Sequence, residues 1–184
     1  DDGGTTYNFI NQTAANTITS AQTGLGSGTN YFWKVYAVTE GGLSSELAGS
    51  QSTLAGTKCG TYTVGPTGTY ATITAALADI TANGMCGAVI LELQAAYVST
   101  GETFPLAINS TLPTTSVNTL TIRPETGATG RTITSATNTI NLNGARYVTI
   151  DGRPGGSGSS ELTISSTSTT LPAIQYINDA RYNT

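Results

Sequence analysis

Few side chains in this sequence could do chemistry, and most of them stand apart. Arg146, Asp151 and Arg153 lie near one another in the chain, and Asp179 and Arg181 follow in the next repeat. Guanidiniums and carboxylates so placed could hold an anion or an acidic saccharide, or take a proton from a sugar ring. Asp151-Gly152-Arg153-Pro154 also reads simply as a turn, because Asp bonds its own backbone and Pro ends a strand. Glu92, Glu102, Glu125 and Glu161 are isolated from one another, and the spacing gives no pair for glycosidic cleavage, which needs two acids across a cleft. There are no histidines, so no Ser-His triad can form and the commonest metal ligand is missing. Cys59 and Cys86 cannot close a zinc site alone. The residues therefore assign no catalytic set, no metal site and no cofactor.

The elements that must position these groups are read from composition and period. Only 10% of residues are charged, the net charge is −4, and 38% are hydrophobic. That is enough apolar material for a core, and the low charge argues against disorder. Many Thr and 22 Gly point to short strands and tight turns. Seven dispersed Lys and Arg cannot form a phosphate-binding face, which argues against nucleic acid. No apolar run is long enough to span a bilayer. A Thr-rich, weakly charged chain has the look of an extracellular β protein, and in that setting Cys59 and Cys86 are expected to pair as a disulfide.

Residues 1–53 read as short strands. Asp2-Gly3-Gly4 is a hairpin signal before Tyr7, Phe9 and Ile10, and Ile18 suggests a further strand. Tyr31 to Val38 alternates, with Tyr31, Trp33, Val35 and Ala37 on one face. Gly41-Gly42 makes a turn, and Ser44 to Thr53 reads as a last strand. The run Thr23-Gly24-Leu25, Gly28-Thr29-Asn30-Tyr31, Trp33 to Val38 and Ser44-Ser45-Glu46 resembles the second half of a fibronectin type III domain. The resemblance implies a corner made by Leu25 and Tyr31 and a sandwich core holding Trp33 and Val35. Core packing is then expected for Trp33 in preference to sugar stacking. About four of that family's seven strands fit into residues 1–53, so this part is expected to be incomplete.

Residues 54–58 read as a linker. Cys59 to Gly65 alternates as a strand. Ile73, Ala76, Leu77 and Ile80 then fall at helical spacing, which predicts one helix near 72–82, capped by Thr72 or Thr74 and closed by Asn83-Gly84. Beyond it the chain alternates strand and turn, with strands expected at 88–93, 119–123, 132–134, 139–142, 147–150, 161–164 and 173–177. Leu142-Asn143-Gly144-Ala145-Arg146-Tyr147 recurs as Ile177-Asn178-Asp179-Ala180-Arg181-Tyr182. A repeat at this period is what a stacked solenoid requires. If one repeat is one coil, Asn143 lies over Asn178 in a ladder of amides, with Asn143 in the left-handed turn. Arg146 then approaches Arg181, and Tyr147 approaches Tyr182, with Asp179 or Asp151 offsetting the two guanidiniums.

Gly60 to Gly65, Tyr70 to Leu77, Asn83-Gly84, Cys86 to Val89, Asn143 to Gly152 and Asn178 to Tyr182 resemble the opening of right-handed parallel β-helix regions in large secreted Bacteroidetes surface proteins. Many of those proteins leave the cell by type IX secretion. The resemblance implies an all-β fold: a partial fibronectin type III-like sandwich at 1–53, then an N-terminally helix-capped parallel β-helix at 59–184. It implies an extracellular or outer cell-surface location and a non-catalytic structural or adhesive role. The expected partners are extracellular polysaccharide or other surface proteins, together with further parts of the same polypeptide on both sides. The alternative is the leading portion of a lyase or glycosidase, with Arg146, Arg181, Asp151 and Arg153 as saccharide or anion contacts. Ice binding ranks last, because Thr119-Leu120-Thr121, Thr132-Ile133-Thr134 and Thr137-Asn138-Thr139 are not expected to recur at one period.

Overall fold

The computed structural model of the chain describes residues 9–10, 12–15, 17, 19–20, 22, 25, 29–52 and 56–184. They fall into two units, Asp1–Gly56 and Thr57–Thr184. The secondary structure is mostly strand, in keeping with the all-β class.

In the first unit β1 (Asn30–Val35) pairs antiparallel with β4 (Leu47–Ser52), and between them β2 (Val38–Thr39) and β3 (Gly42–Leu43) form a small hairpin. Gly42, at φ 114°, takes the backbone through a region that side chains resist. Trp33 faces Gly49 across the pair, and a methyl group at position 49 would run into the indole Cζ2. The indole therefore lies over the bare backbone of its neighbour. The expected core is not buried: Leu25 is 45% exposed, Trp33 40% and Val35 56%, and Tyr31 is half-buried. Among the described residues this two-stranded ribbon has no second layer over its faces, so alternation alone does not make a core. Phe9 and Ile10 are exposed and outside any strand. The expected features at Asp2–Gly4 and Ile18 lie outside the described residues.

The second unit begins with β5 (Lys58–Val64), so Lys58 belongs to a strand and not to the linker. Helix α1 (Ile73–Asn83) follows. The Thr72 side chain accepts from Ala75 N at 3.0 Å, and Gly84, at φ 79°, ends the helix with its N–H on Ile80 O. Then come β6 (Met85–Leu93), β7 (Leu106–Asn109), β8 (Leu120–Pro124), β9 (Arg131–Ser135), β10 (Ile140–Asn143), β11 (Val148–Ile150), β12 (Leu162–Ser166) and β13 (Ile174–Ile177). Strand β7 was not expected; Pro105 at its start argues against a central strand, and β7 is indeed an edge.

Every strand pairing in this unit is parallel. Three sheets result, ordered β5-β6-β8-β11, β7-β10-β13 and β9-β12. The chain visits them in a fixed order, β8-β9-β10 and then β11-β12-β13. Like residues stack in register: Leu91, Ile122 and Ile150 across one sheet, Leu106, Ile140 and Ile174 across the second, Ile133 and Ile164 across the third. Leu91, Leu106, Ile122, Ile133 and Ile140 are fully buried, and Ile73 and Ile80 of α1 join the same core. Each fully buried side chain of this size stabilises by roughly 1.5–3 kcal/mol.

The three Thr-x-Thr runs do not stack on one another, since β8 and β9 belong to different sheets and residues 137–139 lie outside any strand. Thr132 and Thr134 of β9 lie in register with Thr163 and Ser165 of β12. The rows span only two strands, and Ser165 Oγ donates to Thr134 Oγ1 at 3.0 Å, so hydroxyls bond one another there.

Candidate functional site

The repeated hexapeptide builds a corner between two sheets. Strands β10 and β13 end at Asn143 and Ile177, and the chain must turn at once toward the sheet that holds β11. The turn uses left-handed backbone at Gly144 (φ 68°) and Tyr147 (φ 54°) in one layer, and at Asn178 (φ 51°), Asp179 (φ 61°) and Tyr182 (φ 59°) in the next. Gly144 is buried against its neighbours, and an added methyl would sit 3.1 Å from both Asn178 O and Ser110 Cβ. Asn and Asp tolerate this conformation, but tyrosine does not readily do so. Bonds from neighbouring layers hold the tyrosines. Leu120 N donates to Tyr147 O at 3.1 Å, and Asn183 both accepts from Val148 N at 3.0 Å and donates to Ala145 O at 2.9 Å. The rings of Tyr147 and Tyr182 stack with centroids 5.1 Å apart and planes 13° apart.

Asn178 Nδ2 donates to Asn143 Oδ1 at 2.7 Å. The backbone register is one residue away from the expected one: Asn143 pairs with Ile177 on one side and with Asn109 on the other. Stacking of Leu142 on Ile108, and of Ile140 on Leu106 and Ile174, sets that register, because a one-residue slip would turn the core faces outward. By the end of the corner Arg146 bridges to Arg181, so the later turn has absorbed one extra residue. The left-handed asparagine is Asn178 and not Asn143, whose place in the turn belongs to Gly144.

The two arginines share one acid. Asp179 Oδ2 lies 3.2 Å from Arg146 Nη2 and 3.3 Å from Arg181 Nη1. All three side chains are about half exposed, and the Arg181 guanidinium lies 5.5 Å from the Tyr182 ring centre. Screened by water, such pairs contribute little stability. Asp151 does not join them. It holds Arg153 of its own turn through Nε and Nη2, both at 2.9 Å, and accepts from Arg153 N at 3.0 Å. Those bonds from Arg153 hold the Asp151 carboxyl below its ordinary pKa, so it is an anion and no general acid at neutral pH.

Two glutamates read as isolated have buried tasks. Glu92 accepts from Arg123 Nε at 3.0 Å and Nη2 at 2.7 Å, directly across the β6–β8 pair. Glu102 reaches the start of α1. Its Oε1 accepts from Ile73 N at 2.6 Å, and its Oε2 from Thr74 N at 2.8 Å and Thr74 Oγ1 at 2.7 Å. Tyr97 donates to Glu102 Oε1 at 2.9 Å, and burial pushes the Tyr97 phenol pKa up. A carboxylate at a helix N-terminus satisfies free N–H groups and opposes the helix dipole. Nothing in the sequence signals either pair, since both partners lie about one layer apart along the chain.

Cys59 and Cys86 form a disulfide with Cα atoms 5.2 Å apart. It crosses the irregular start of the β5–β6 pair, where the register moves from Lys58–Met85 to Gly60–Val89. Beside it Lys58 Nζ lies 2.9 Å from Asp79 Oδ2. Among the described residues no cluster of three or more His, Cys, Asp or Glu could hold a metal ion, and no helix is long and apolar enough to cross a membrane. No known protein family, curated protein or solved structure matches the chain. The charged groups thus pair locally: two arginines on Asp179 at the corner, Arg153 on Asp151 in its turn, and Arg123 on Glu92 across β6–β8, with Arg123 also lowering the Asp151 pKa. None of them pairs a free base with an acid across a cleft.

Proposed function

We propose that residues 57–184 are the helix-capped opening of a parallel β-helix, that the first unit is the second half of a fibronectin type III-like fold, and that the chain is a non-catalytic structural or adhesive module of a large secreted bacterial surface protein. The observation that carries this reading is the fixed visiting order of three parallel sheets with like residues stacked between layers. A solenoid of that kind is rigid along its axis because each layer packs only on its neighbours. The antiparallel β1–β4 pair and the exposed face around Trp33 support the sandwich reading, since a second sheet covers such a face in that fold. The disulfide supports an oxidising compartment. The pairing of Asp151, Asp179 and Glu92 with arginines supports a structural role for the charges.

The test is incubation of the 184-residue protein with a panel of neutral and acidic polysaccharides, followed by both retention on the polymer and release of new chain ends. Retention or indifference without release is expected. Time-dependent release that disappears in Asp151→Asn or Arg146→Gln protein would replace this reading with an enzymatic one.

A further inference from the structure

An open trough of about 420 Å³ runs between α1 and the free edge of β7. One wall is a single stripe of the helix, made by Thr74, Leu77, Ala78, Thr81 and Ala82 at three- and four-residue spacing. The other wall is the edge itself, where Thr103, Pro105, Ala107, Asn109 and Thr111 alternate along the chain and Leu106 alone joins them from between. That alternation has a backbone meaning. Leu106 N donates to Thr139 O and Ser110 N to Asn143 O, both at 2.9 Å, so the even-numbered residues face β10. In a parallel pair each residue turns its N–H and C=O to one side and the next residue turns them to the other. The N–H and C=O of Ala107 and the N–H of Asn109 therefore point into the trough, while Asn109 O is taken by Leu112 N at 3.0 Å. Among the described residues strand β7 pairs only with β10, and Ala107 is exposed. The helix wall opposite is built of small side chains, and Ala78, Thr81 and Ala82 are exposed.

We propose that this trough binds an extended, uncharged peptide segment of another protein, which adds to β7 as a further strand and lies against the Ala78 face of α1. Two features select that occupant. The free donors and acceptors alternate at strand spacing, which matches only an extended backbone. No charged residue lines the trough, so a charged side chain buried there would lack a partner. Side chains of the incoming strand that face α1 meet alanine and threonine, which leaves room for residues of valine or threonine size.

The test uses a capped seven-residue peptide of alternating threonine and valine, the same peptide with alternate amides N-methylated, and a glutamate–lysine version, each titrated into the 184-residue protein. Saturable binding of the first is expected, with amide shifts at Ala107 and Asn109. Roughly tenfold or greater weakening is expected for the other two peptides. Ala107→Pro removes only the outward N–H and should weaken binding similarly, because proline is tolerated on an edge whose N–H faces away from the sheet. Ala78→Trp fills the trough from an exposed helix position and should abolish binding while leaving the melting temperature unchanged; it carries the test if the proline variant does not fold. Absence of saturable binding, equal binding of the N-methylated peptide, or indifference to Ala78→Trp would overturn the proposal. Self-association of the protein that Ala78→Trp abolishes would overturn it too, by making a second copy the occupant.

Discussion

The two units differ in how they treat the same kind of residue. In the first, Val35 is 56% exposed and Leu47 65%, although both lie in strands and face each other across a pair. In the second, Leu91, Ile122 and Ile133 are completely covered. Both units use short strands of similar composition. The difference lies in layering: among the described residues of the first unit, two antiparallel strands satisfy their hydrogen bonds locally and neither face is covered, whereas in the second the parallel sheets enclose a core between them. Strand propensity thus makes strands in both units, and only long-range pairing makes a core.

Truncation of one buried and one exposed leucine breaks the comparison most directly. Leu91→Ala should destabilise the second unit by about 2–5 kcal/mol, while Leu47→Ala should change stability by less than about 0.5 kcal/mol. Trp33 is the single tryptophan and belongs to the first unit, so its fluorescence follows that unit alone. Far-ultraviolet circular dichroism is dominated by the strands of the second. Equal losses from the two truncations would mean that the first unit has a core after all.

The disulfide should matter almost as much, and on one side only. Closing a loop between residues 27 apart restricts the unfolded chain by about 3–4 kcal/mol in the chain-entropy picture. Cys59→Ser with Cys86→Ser, or reduction of the native protein, should lower the melting temperature of the second unit and leave Trp33 fluorescence where it was. Unchanged melting on reduction would place the stability of this end in α1 and the Lys58–Asp79 pair instead.

Glu102 offers a smaller and more local effect. Glu102→Gln removes the negative charge from the start of α1 and turns an amide nitrogen toward two of the four donors from which the carboxylate now accepts. A loss of about 1–3 kcal/mol is expected, with hydrogen exchange accelerating first at Ile73 and Thr74. Exchange that accelerates first in the sheets would show that Glu102 acts through β-layer packing and not as a cap.

These sites also show what can be read from sequence. The helix was legible because Ile73, Ala76, Leu77 and Ile80 carry its period and Thr72 and Gly84 its ends, all within one local stretch. The disulfide was legible because two cysteines in a secreted-looking chain allow one pairing. The repeat revealed the corner and its neighbours, including the stacked tyrosines and the acid between the arginines. It missed the slip that moves the left-handed position from Asn143 to Asn178, because core residues such as Leu142 and Ile140 set the register and the hexapeptide does not. Glu92 and Glu102 were illegible because their partners, Arg123 and Thr74, lie about one layer away, and layer length varies along the chain. Trp33 looked like core because its strand alternates; alternation reports which residues share a face, not whether anything covers it.

Acid should separate the two units by a last, modest effect. Hydrogen bonds from Tyr70 and then from Lys58 hold the Asp79 carboxyl below its ordinary pKa of 3.8, and Arg153 does the same for Asp151. A carboxyl with a depressed pKa in the folded state binds its proton more readily when the chain unfolds. Its stabilisation is therefore complete above about pH 3.8 and fades as the pH falls below that value. Glu46 in the first unit is lowered as well, by Lys34 and Tyr36, but it stands in open solvent, where salt screens its pairing. Melting of the second unit should therefore fall between pH 5 and pH 2 at moderate salt, and Asp79→Asn should flatten that fall while lowering stability at neutral pH. Glu46→Gln should alter neither unit at the same salt. An acid profile that Asp79→Asn leaves unchanged would transfer the pH dependence to the remaining paired carboxylates, beginning with Asp151.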